Sequence, residues 1–358
     1  LSSGTLSPLD SFASELGVNF EITLSAQHII DKSQVIAFTI QSVDSVVLSS
    51  SFKSLSSNFN NISDSLGKIF TKLLKFIPDG VLFFVPSHHF LEDLLSRWKF
   101  TNTYKIISDI KPIFIEDDID VFIKYRESVK YGKGGLLIGV CRGKMSEGID
   151  FSDEQARAVF VFGIPYPNYN DVKIQLKKSY NDKRSGAFTN TQRKLMSGNN
   201  WYDTQAFRSL FQAIGRCIRN KNDYGSIILI DDRYINLTNI FPNWVQKSFV
   251  KAQTFEAIAN SLSVFYANMK QRFPPIYGNS LNFNFSISFQ CSKCGSNFLE
   301  LYQFDPKNII NIDKKGFLNI MKSEDNIRCA FIQNKIIKSL NINEGRPEWS
   351  EIDEICYK

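Results

Sequence analysis

Three arginines and a glutamine share one predicted helical face in "QAFRSLFQAIGRCIR", residues 205–219. At about 100° per residue, Arg208, Gln212, Arg216 and Arg219 fall within a narrow arc, with Gly215 beside it. Arginine forks bind phosphate oxygens in pairs, and a glycine lets a ligand approach the backbone closely. The pattern predicts a phosphate-binding stripe on a helix over 205–219. A solvated charged face is the alternative, although such faces usually mix signs and this stripe contains no acidic residue.

Five short apolar runs predict the sheet that would position this helix. They are continuous rather than alternating, which indicates strands buried on both faces, as in a parallel sheet. The runs are residues 35–40, 81–85, 136–140, 158–162 and 226–230. Amphipathic stretches lie between them, so we expect an α/β fold with an open parallel sheet and helices on both faces. In such sheets ligands bind beyond the carboxyl ends of the strands.

The residues that follow these strands are therefore candidate ligand contacts. Ser87 comes after strand 81–85 as a good N-cap, and the helix that begins there could receive a backbone phosphate on its first amides. Helix capping alone would also explain this serine. Arg142 and Lys144 follow strand 136–140 in "GVCRGKM", a near miss for a P-loop with one spacer too few and a methionine in place of Ser/Thr. No complete P-loop motif occurs in the chain.

A basic segment lies between residues 170 and 195, where acids occur only at Asp171 and Asp182. Its basic residues are Lys173, Lys177, Lys178, Lys183, Arg184, Arg193 and Lys194. A solvated surface is one explanation of such a segment. A track for a nucleic-acid backbone is the other, and it gains weight next to a phosphate site.

Composition sets limits on the class of protein. The 358 residues are 43% apolar with a formal charge of +6, which permits an acidic partner without demanding one. No stretch approaches the roughly 18 apolar residues of a membrane span, and six sparse cysteines favour a reducing compartment. We expect a lobe over 1–265, with a loop or poorly ordered insert at 41–66. A small appendage over 266–358 follows, and "RFPPIYGNS" at 272–280 is typical of a boundary.

The appendage contains a possible metal site. Cys291 and Cys294, in "CSKC", have the spacing of a zinc knuckle, and Cys329 and Cys356 could complete four thiolate ligands. The second pair lacks the short spacing typical of zinc ribbons. The sequence therefore leaves open a zinc site, free thiols, or a poorly ordered region.

Several of these segments, in this order, resemble the later motifs of superfamily 2 DNA helicases of the XPD/DinG type. Within that group the similarity is greatest to the Fanconi anaemia group J helicases, and it extends from residue 1 to about residue 260. The segments are "SSGTLSP" (2–8), "VLFFVPSHHFLEDL" (81–94), "VCRGKMSEGIDFSD" (140–153), "GIPYPN" (163–168) and "QAFRSLFQAIGRCIRNKNDYGSIILIDDRY" (205–234). The pair "SEGIDF" and "QAIGRCIR" is highly specific in combination.

The resemblance implies the second of two RecA-like lobes, with ATP and Mg²⁺ bound in the cleft between the lobes and single-stranded or forked DNA across both. Gln212 and Arg216 would line the ATP cleft and Arg219 would be an arginine finger, a cation that stabilises charge on the transferred phosphoryl group. Glu147, Gly148 and Asp150 resemble the motif that couples nucleotide to DNA, with Asp150 near the ribose. Further resemblances concern the DNA backbone, near which they place Ser87, Lys144, Ser146 and Arg142. The motif that closes the first lobe is matched by Ser3, Gly4 and Thr5.

The same resemblance implies features that these residues do not supply. The P-loop, the acidic Mg²⁺-binding motif and a four-cysteine iron–sulfur cluster belong to the first lobe of this family, so we expect the chain to be part of a longer protein. The whole protein would move 5′ to 3′ along DNA in nuclear repair, with repair proteins as partners and no membrane association. A binding module derived from a helicase lobe, without catalysis, is the alternative, and RNA as the substrate is a weaker one.

Overall fold

The structure is a computed structural model of the chain. The structure describes residues 9–17, 20–24, 30–116, 120–145, 149, 151–185, 196–251 and 254–273, together with four strands between 286 and 320. The chain divides into two compact units, residues 1–274 and 275–358. Within the described residues, no helix is long and apolar enough to cross a membrane.

A six-stranded parallel sheet forms the centre of the first unit, with the strand order β1-β8-β7-β4-β6-β5. Its strands are β1 Val35–Ile40, β4 Gly80–Val85, β5 Ile113–Ile115, β6 Gly135–Val140, β7 Ala158–Phe162 and β8 Gly225–Ile230. Nearly every residue of the four inner strands is buried, as the continuous apolar runs predict. The expected parallel α/β sheet is confirmed. The short edge strand β5 gives too weak a pattern to be predicted.

Helices cover both faces of this sheet. One face carries α2 Phe52–Leu73, α3 His88–Phe100, α4 Thr103–Ile110 and α9 Phe255–Arg272. The other carries α5 Val121–Lys130 and α7 Gly198–Ile214. Helices α1 Leu9–Leu16, α6 Val172–Ser185 and the short α8 Asn243–Gln246 complete the first unit. Because all six strands run in the same direction, their carboxyl ends form one edge, where the loops after Val85, Val140 and Phe162 meet.

The prediction of a loop or poorly ordered insert at 41–66 is wrong. Strands β2 Ser42–Val43 and β3 Val46–Val47 form a hairpin there, and α2 begins after Ser51, whose hydroxyl accepts the backbone N–H of Ser54 at 3.3 Å. The first turns of α2 are rich in serine and asparagine. The buried apolar residues of α2 begin only at Ile62, close to the end of the predicted insert. The part of α2 inside the insert therefore shows little of the helical apolar pattern.

The boundary at residue 265 also needs correction, because α9 continues through it to Arg272 and packs with the first unit. The unit ends at Pro274, inside the proline- and glycine-containing stretch 272–280 that the sequence marks as a stop. The four described strands of the second unit form two antiparallel pairs. They are β9 Ser286–Gln290 with β10 Asn297–Tyr302, and β11 Ile309–Ile312 with β12 Leu318–Ile320.

Candidate functional site

The predicted helix over 205–219 ends earlier than expected, and this changes where two arginines lie. Helix α7 stops at Ile214, and Gly215 is its C-cap. The next amides switch to shorter-range bonds, from Arg216 to the carbonyl of Ala213 and from Cys217 to that of Ile214, both 3.1 Å. Arg216 and Arg219 therefore belong to a loop over 215–224 that leads into β8. The prediction that they continue the helical stripe is wrong, because the helix ends at Gly215, and glycine is a poor helix former.

Arg216 connects this loop to the segment that joins β6 to β7. Its Nη1 donates to the carbonyl oxygen of Ile149. A second link lies nearby, since Asn220 Nδ2 donates to Asp153 Oδ1 at 2.8 Å. The segment 141–157 starts at the carboxyl end of β6 and reaches the amino end of β7, so it crosses the sheet face beside α7. The two predicted functional segments are thus in direct contact.

A buried acid fixes the backbone of the same loop. Asp223 Oδ2 accepts the backbone N–H of Arg219 at 3.0 Å, and its Oδ1 accepts both the backbone N–H of Tyr224 at 3.0 Å and Arg157 Nη1 at 2.7 Å. The side chain of Asp223 is 1% exposed and that of Arg157 is 10% exposed. Burial raises the pKa of Asp223 to about 6, against the opposing charge of Arg157. Arg219 itself is exposed at the protein surface.

Arg208 does not extend the predicted phosphate-binding surface. Its Nη1 donates to both carboxylate oxygens of Glu15 in α1, each at 3.1 Å. Oε1 of Glu15 also accepts from Trp201 Nε1 at 2.9 Å and Gln205 Nε2 at 2.8 Å. The acid that the stripe lacks in sequence is therefore supplied by a distant part of the chain. Gln212, half-buried, lies one turn further along α7.

The loop after β6 is shaped by a buried carboxylate that the sequence analysis missed. Glu116 accepts the backbone N–H groups of Val140 at 2.8 Å and Met145 at 2.6 Å. A side chain at Gly143 would collide with this carboxylate, at 2.6 Å, so only glycine fits there. Glu116 directly follows β5, whose pattern is too weak to be predicted, so no local signal in the sequence identifies this carboxylate.

The predicted DNA contacts of this loop differ in their surroundings. Arg142 has a left-handed φ of 69°, and its Nη2 donates to the carbonyl oxygen of Gln205 at 2.7 Å. The guanidinium of Arg142 thus anchors the loop to α7. Lys144 is exposed at the same edge. Ser87 is also exposed there, and its hydroxyl accepts the backbone N–H of Phe90 at 3.2 Å as the N-cap of α3.

The two lysines singled out in the basic segment have different environments. Both belong to α6, and Lys177 is partly exposed. Lys178 is only 8% exposed. Its ammonium lies 4.3 Å from the ring centroid of Tyr169 and 4.8 Å from that of Tyr202. Lys178 is therefore held by aromatic rings, and a direct contact with a DNA phosphate no longer fits its position.

The remaining predicted site residues lie outside the described residues. They are Gly4, Thr5, Ser146, Glu147, Gly148 and Asp150, together with Cys291, Cys294, Cys329 and Cys356. Among the described residues, no group of three or more His, Cys, Asp or Glu could hold a metal ion. The two cysteines in that part of the chain, Cys141 and Cys217, are buried, and burial raises the pKa of Cys141 to about 12.

Comparison with known proteins places this architecture in a family. The model of the helicase C-terminal domain matches residues 70–248, half of the chain, and covers β4 through β8 with α7 and its loop. The chain belongs to this family and is the C-terminal lobe of an XPD/DinG-type superfamily 2 helicase. The expected family is confirmed.

Two curated relatives illustrate the similarity. The Fanconi anemia group J protein homolog of Gallus gallus is 39% identical over 280 residues, which is 74% of this chain and 22% of that protein. The regulator of telomere elongation helicase 1 homolog of Aedes aegypti is 34% identical over 364 residues, 96% of this chain and 34% of that protein. The chain thus spans about a fifth to a third of the relatives that it matches.

Solved structures show weaker similarity. One described as XPD_Helicase is 19% identical and covers 66% of this chain and 39% of its own, with a TM-score of 0.49. The order and direction of the strands, rather than this match, define the α/β sheet of the lobe.

Proposed function

We propose that this chain is the C-terminal lobe of an ATP-dependent DNA helicase that couples ATP hydrolysis to translocation on single-stranded DNA. Family membership and the names of both relatives support a helicase in genome maintenance. The 5′ to 3′ polarity, the nuclear location, forked DNA as a substrate and repair proteins as partners follow from the resemblance and are part of the proposal.

One observation carries the proposal furthest, the contact between the loop 215–224 and the segment 141–157. Three links connect them, from Arg216 to Ile149, from Asn220 to Asp153 and from Asp223 to Arg157. The same segment has Lys144 at the carboxyl edge of the sheet. A movement of the arginine loop would therefore be transmitted along one short piece of backbone to the edge where DNA is proposed to bind.

The groups near the end of α7 are of the types that bind a triphosphate. Gln212, Arg216 and Arg219 supply an amide and two guanidinium groups, and the nearby carboxylate of Asp223 is engaged by Arg157 and backbone amides. A bound ATP with Mg²⁺ would supply the phosphoryl group and its charge. Arg219 would then stabilise charge on the γ-phosphoryl oxygens, Arg216 and Gln212 would orient the phosphates beside Gly215, and Asp150, Gly148 and Glu147 would approach the nucleotide.

The other half of this cleft is proposed to come from a first lobe. That lobe would contribute the P-loop and the 4Fe-4S cluster of the family, while Gly4 and Thr5 would close against it. The buried thiols of Cys141 and Cys217 do not fit as cluster ligands, since each is enclosed in the core of this lobe.

The proposed DNA track follows the carboxyl edge of the sheet. Ser87, Lys144 and Ser146 would contact the backbone of the strand, and Lys177 would extend the track onto α6. Arg142 would act by holding the loop in place. Lys178 is not part of the proposed phosphate contacts, because its ammonium is held by tyrosine rings.

The decisive experiment is Arg219→Ala in the protein that joins this lobe to its first lobe. DNA-stimulated ATP hydrolysis should fall about a thousandfold, the lower range for an arginine finger, while DNA binding stays intact. Lys221→Ala is the matched control, an exposed cation two residues further along the same loop, and should leave turnover unchanged. Turnover of Arg219→Ala within about twofold of the control would refute the assignment.

A further inference from the structure

Three tyrosines form a cluster just beyond the carboxyl end of β7. The rings of Tyr166 and Tyr202 stack with centroids 5.2 Å apart and an interplanar angle of 18°. Tyr169 meets Tyr202 edge-to-face, with centroids 5.8 Å apart and an angle of 87°. We call these three residues the tyrosine platform. It stands at the sheet edge where ligands bind in this architecture.

The platform is held in place before any ligand binds. The hydroxyl of Tyr202 donates to the carbonyl of Pro167 at 2.7 Å, and the buried ammonium of Lys178 packs against the rings of Tyr169 and Tyr202. Helix α7 approaches α6 closely at Gly198, where a side chain would lie 2.5 Å from the carbonyl oxygen of Lys178. A preformed ring arrangement lowers the entropy cost of binding.

Part of this platform faces solvent. Tyr169 is 55% exposed, although Tyr202 and Lys178 pack against it. A second exposed apolar row lies on the outer side of α6 at every fourth position, with Val172, Leu176 and Tyr180. A solvated helix places polar side chains on its outer face, so this row of apolar residues indicates a partner surface.

The positive charge of α6 indicates what kind of partner this surface binds. Lys177 Nζ lies 5.4 Å from the ring centroid of Tyr180, and α6 carries Lys173 and Lys183 as well. A ligand that suits it must present flat apolar groups and negative charges together. Single-stranded DNA does so, since bases stack on aromatic rings while phosphates pair with lysines.

We propose that Tyr169 is a base-stacking position for single-stranded DNA, with Tyr180 as a second position and Lys177 as the phosphate contact between them. Lys178 then acts from beneath, by fixing the rings rather than by binding phosphate. This inference rests on the proposed function, because it concerns the same single-stranded DNA and adds contacts to its bases. Lys144 and Ser87 would contact only its backbone.

The test compares two strands on the purified chain by fluorescence anisotropy. One is an oligothymidylate of about 15 nucleotides and the other an abasic strand of equal length, which keeps the phosphates but has no bases. Tyr169→Ala should weaken binding of oligothymidylate about tenfold and leave the abasic strand unaffected. Tyr169→Phe keeps the ring and should bind as the unmodified protein does. Tyr131→Ala is the matched control, because Tyr131 is 63% exposed and has Lys130 against its ring, on a different part of the surface.

The outcomes separate the two proposals. If the unmodified chain binds both strands with equal affinity, or if Tyr169→Ala weakens both strands alike, base stacking is refuted and the backbone track stands. If the chain binds neither strand at low salt, the proposed function fails and the stacking site fails with it. Circular dichroism of each variant shows whether it folds. If Tyr169→Ala does not, Tyr180→Ala at the second stacking position provides the test, with the same expected loss for oligothymidylate alone.

Discussion

The guanidinium of Arg157 and the carboxylate of Asp223 form a buried ion pair at 2.7 Å, and the same carboxylate accepts the backbone amide of Arg219. Arg157 stands directly before β7, and Asp223 lies in the loop before β8. The ring of Tyr224 adds a cation–π contact, 3.9 Å from the guanidinium carbon of Arg157. One buried pair thus sets the backbone that carries the proposed arginine finger.

Asp223→Ala should destabilise the fold strongly. It removes the nearest acid of the buried Arg157 charge, leaving Asp79 at 3.7 Å, and leaves two backbone amides without their acceptor. Breaking such a pair costs about 3–5 kcal/mol. Urea unfolding of the purified chain measures the loss. Lys68→Ala is the control, since it breaks the exposed pair with Asp44 from a position within α2 and should change stability little. Equal losses in the free energy of unfolding would show that the buried pair stabilises the fold no more than the exposed pair does.

The basic helix α6 should govern the salt dependence of single-strand binding. Lys177→Gln and Lys183→Gln remove two charges, and each lost phosphate contact should lower the log–log slope by about 0.7. The slope is measured from affinities at several salt concentrations. Lys130→Gln with Lys133→Gln removes the same charge near the end of α5 and should leave the slope unchanged. An unaltered slope in the α6 variant would mean that these lysines are only solvated.

The sheet was predictable because its signal is local. Each inner strand is a continuous apolar run between turn residues, and such a short run is typical of a strand buried on both faces of a parallel sheet. The motifs "SEGIDF" and "QAIGRCIR" identified the lobe for the same reason, since both their residue types and their spacing are read directly from the sequence.

The details of the site depend on contacts that no local pattern contains. Arg208 and Glu15 meet although they are far apart in the chain, so a stripe without acids in sequence has an acid in the fold. Lys178 resembles the other lysines of α6, and only the approach of Tyr169 and Tyr202 buries it. The helix end at Ile214 likewise depends on where β8 must begin, which a fixed angle per residue ignores.

The four cysteines of the tail give a prediction about metal content. If Cys291, Cys294, Cys329 and Cys356 share a zinc ion, the purified chain should contain near-stoichiometric zinc, and Cys294→Ser should lower it and expose the tail to proteolysis. Cys141→Ser is the control, because that thiol is buried in the first unit. Metal analysis under reducing conditions that finds no zinc would leave the cysteines as free thiols.

The last prediction concerns these 358 residues by themselves, which should fold and bind single-stranded DNA without hydrolysing ATP. Folding needs no other lobe, because the sheet of the first unit is covered by helices on both faces and has an apolar core on each. Catalysis is different. Arg216 and Arg219 act on a triphosphate that a P-loop and Mg²⁺ must first hold, and no complete P-loop motif occurs in this sequence. DNA should bind weakly and lose affinity with added salt, since the carboxyl edge and α6 provide part of a track. The measurement is ATP hydrolysis by the purified chain with and without single-stranded DNA. DNA-stimulated turnover by this chain alone, abolished in Arg219→Ala and retained in Lys221→Ala, would place the nucleotide site within this lobe and overturn the two-lobe assignment.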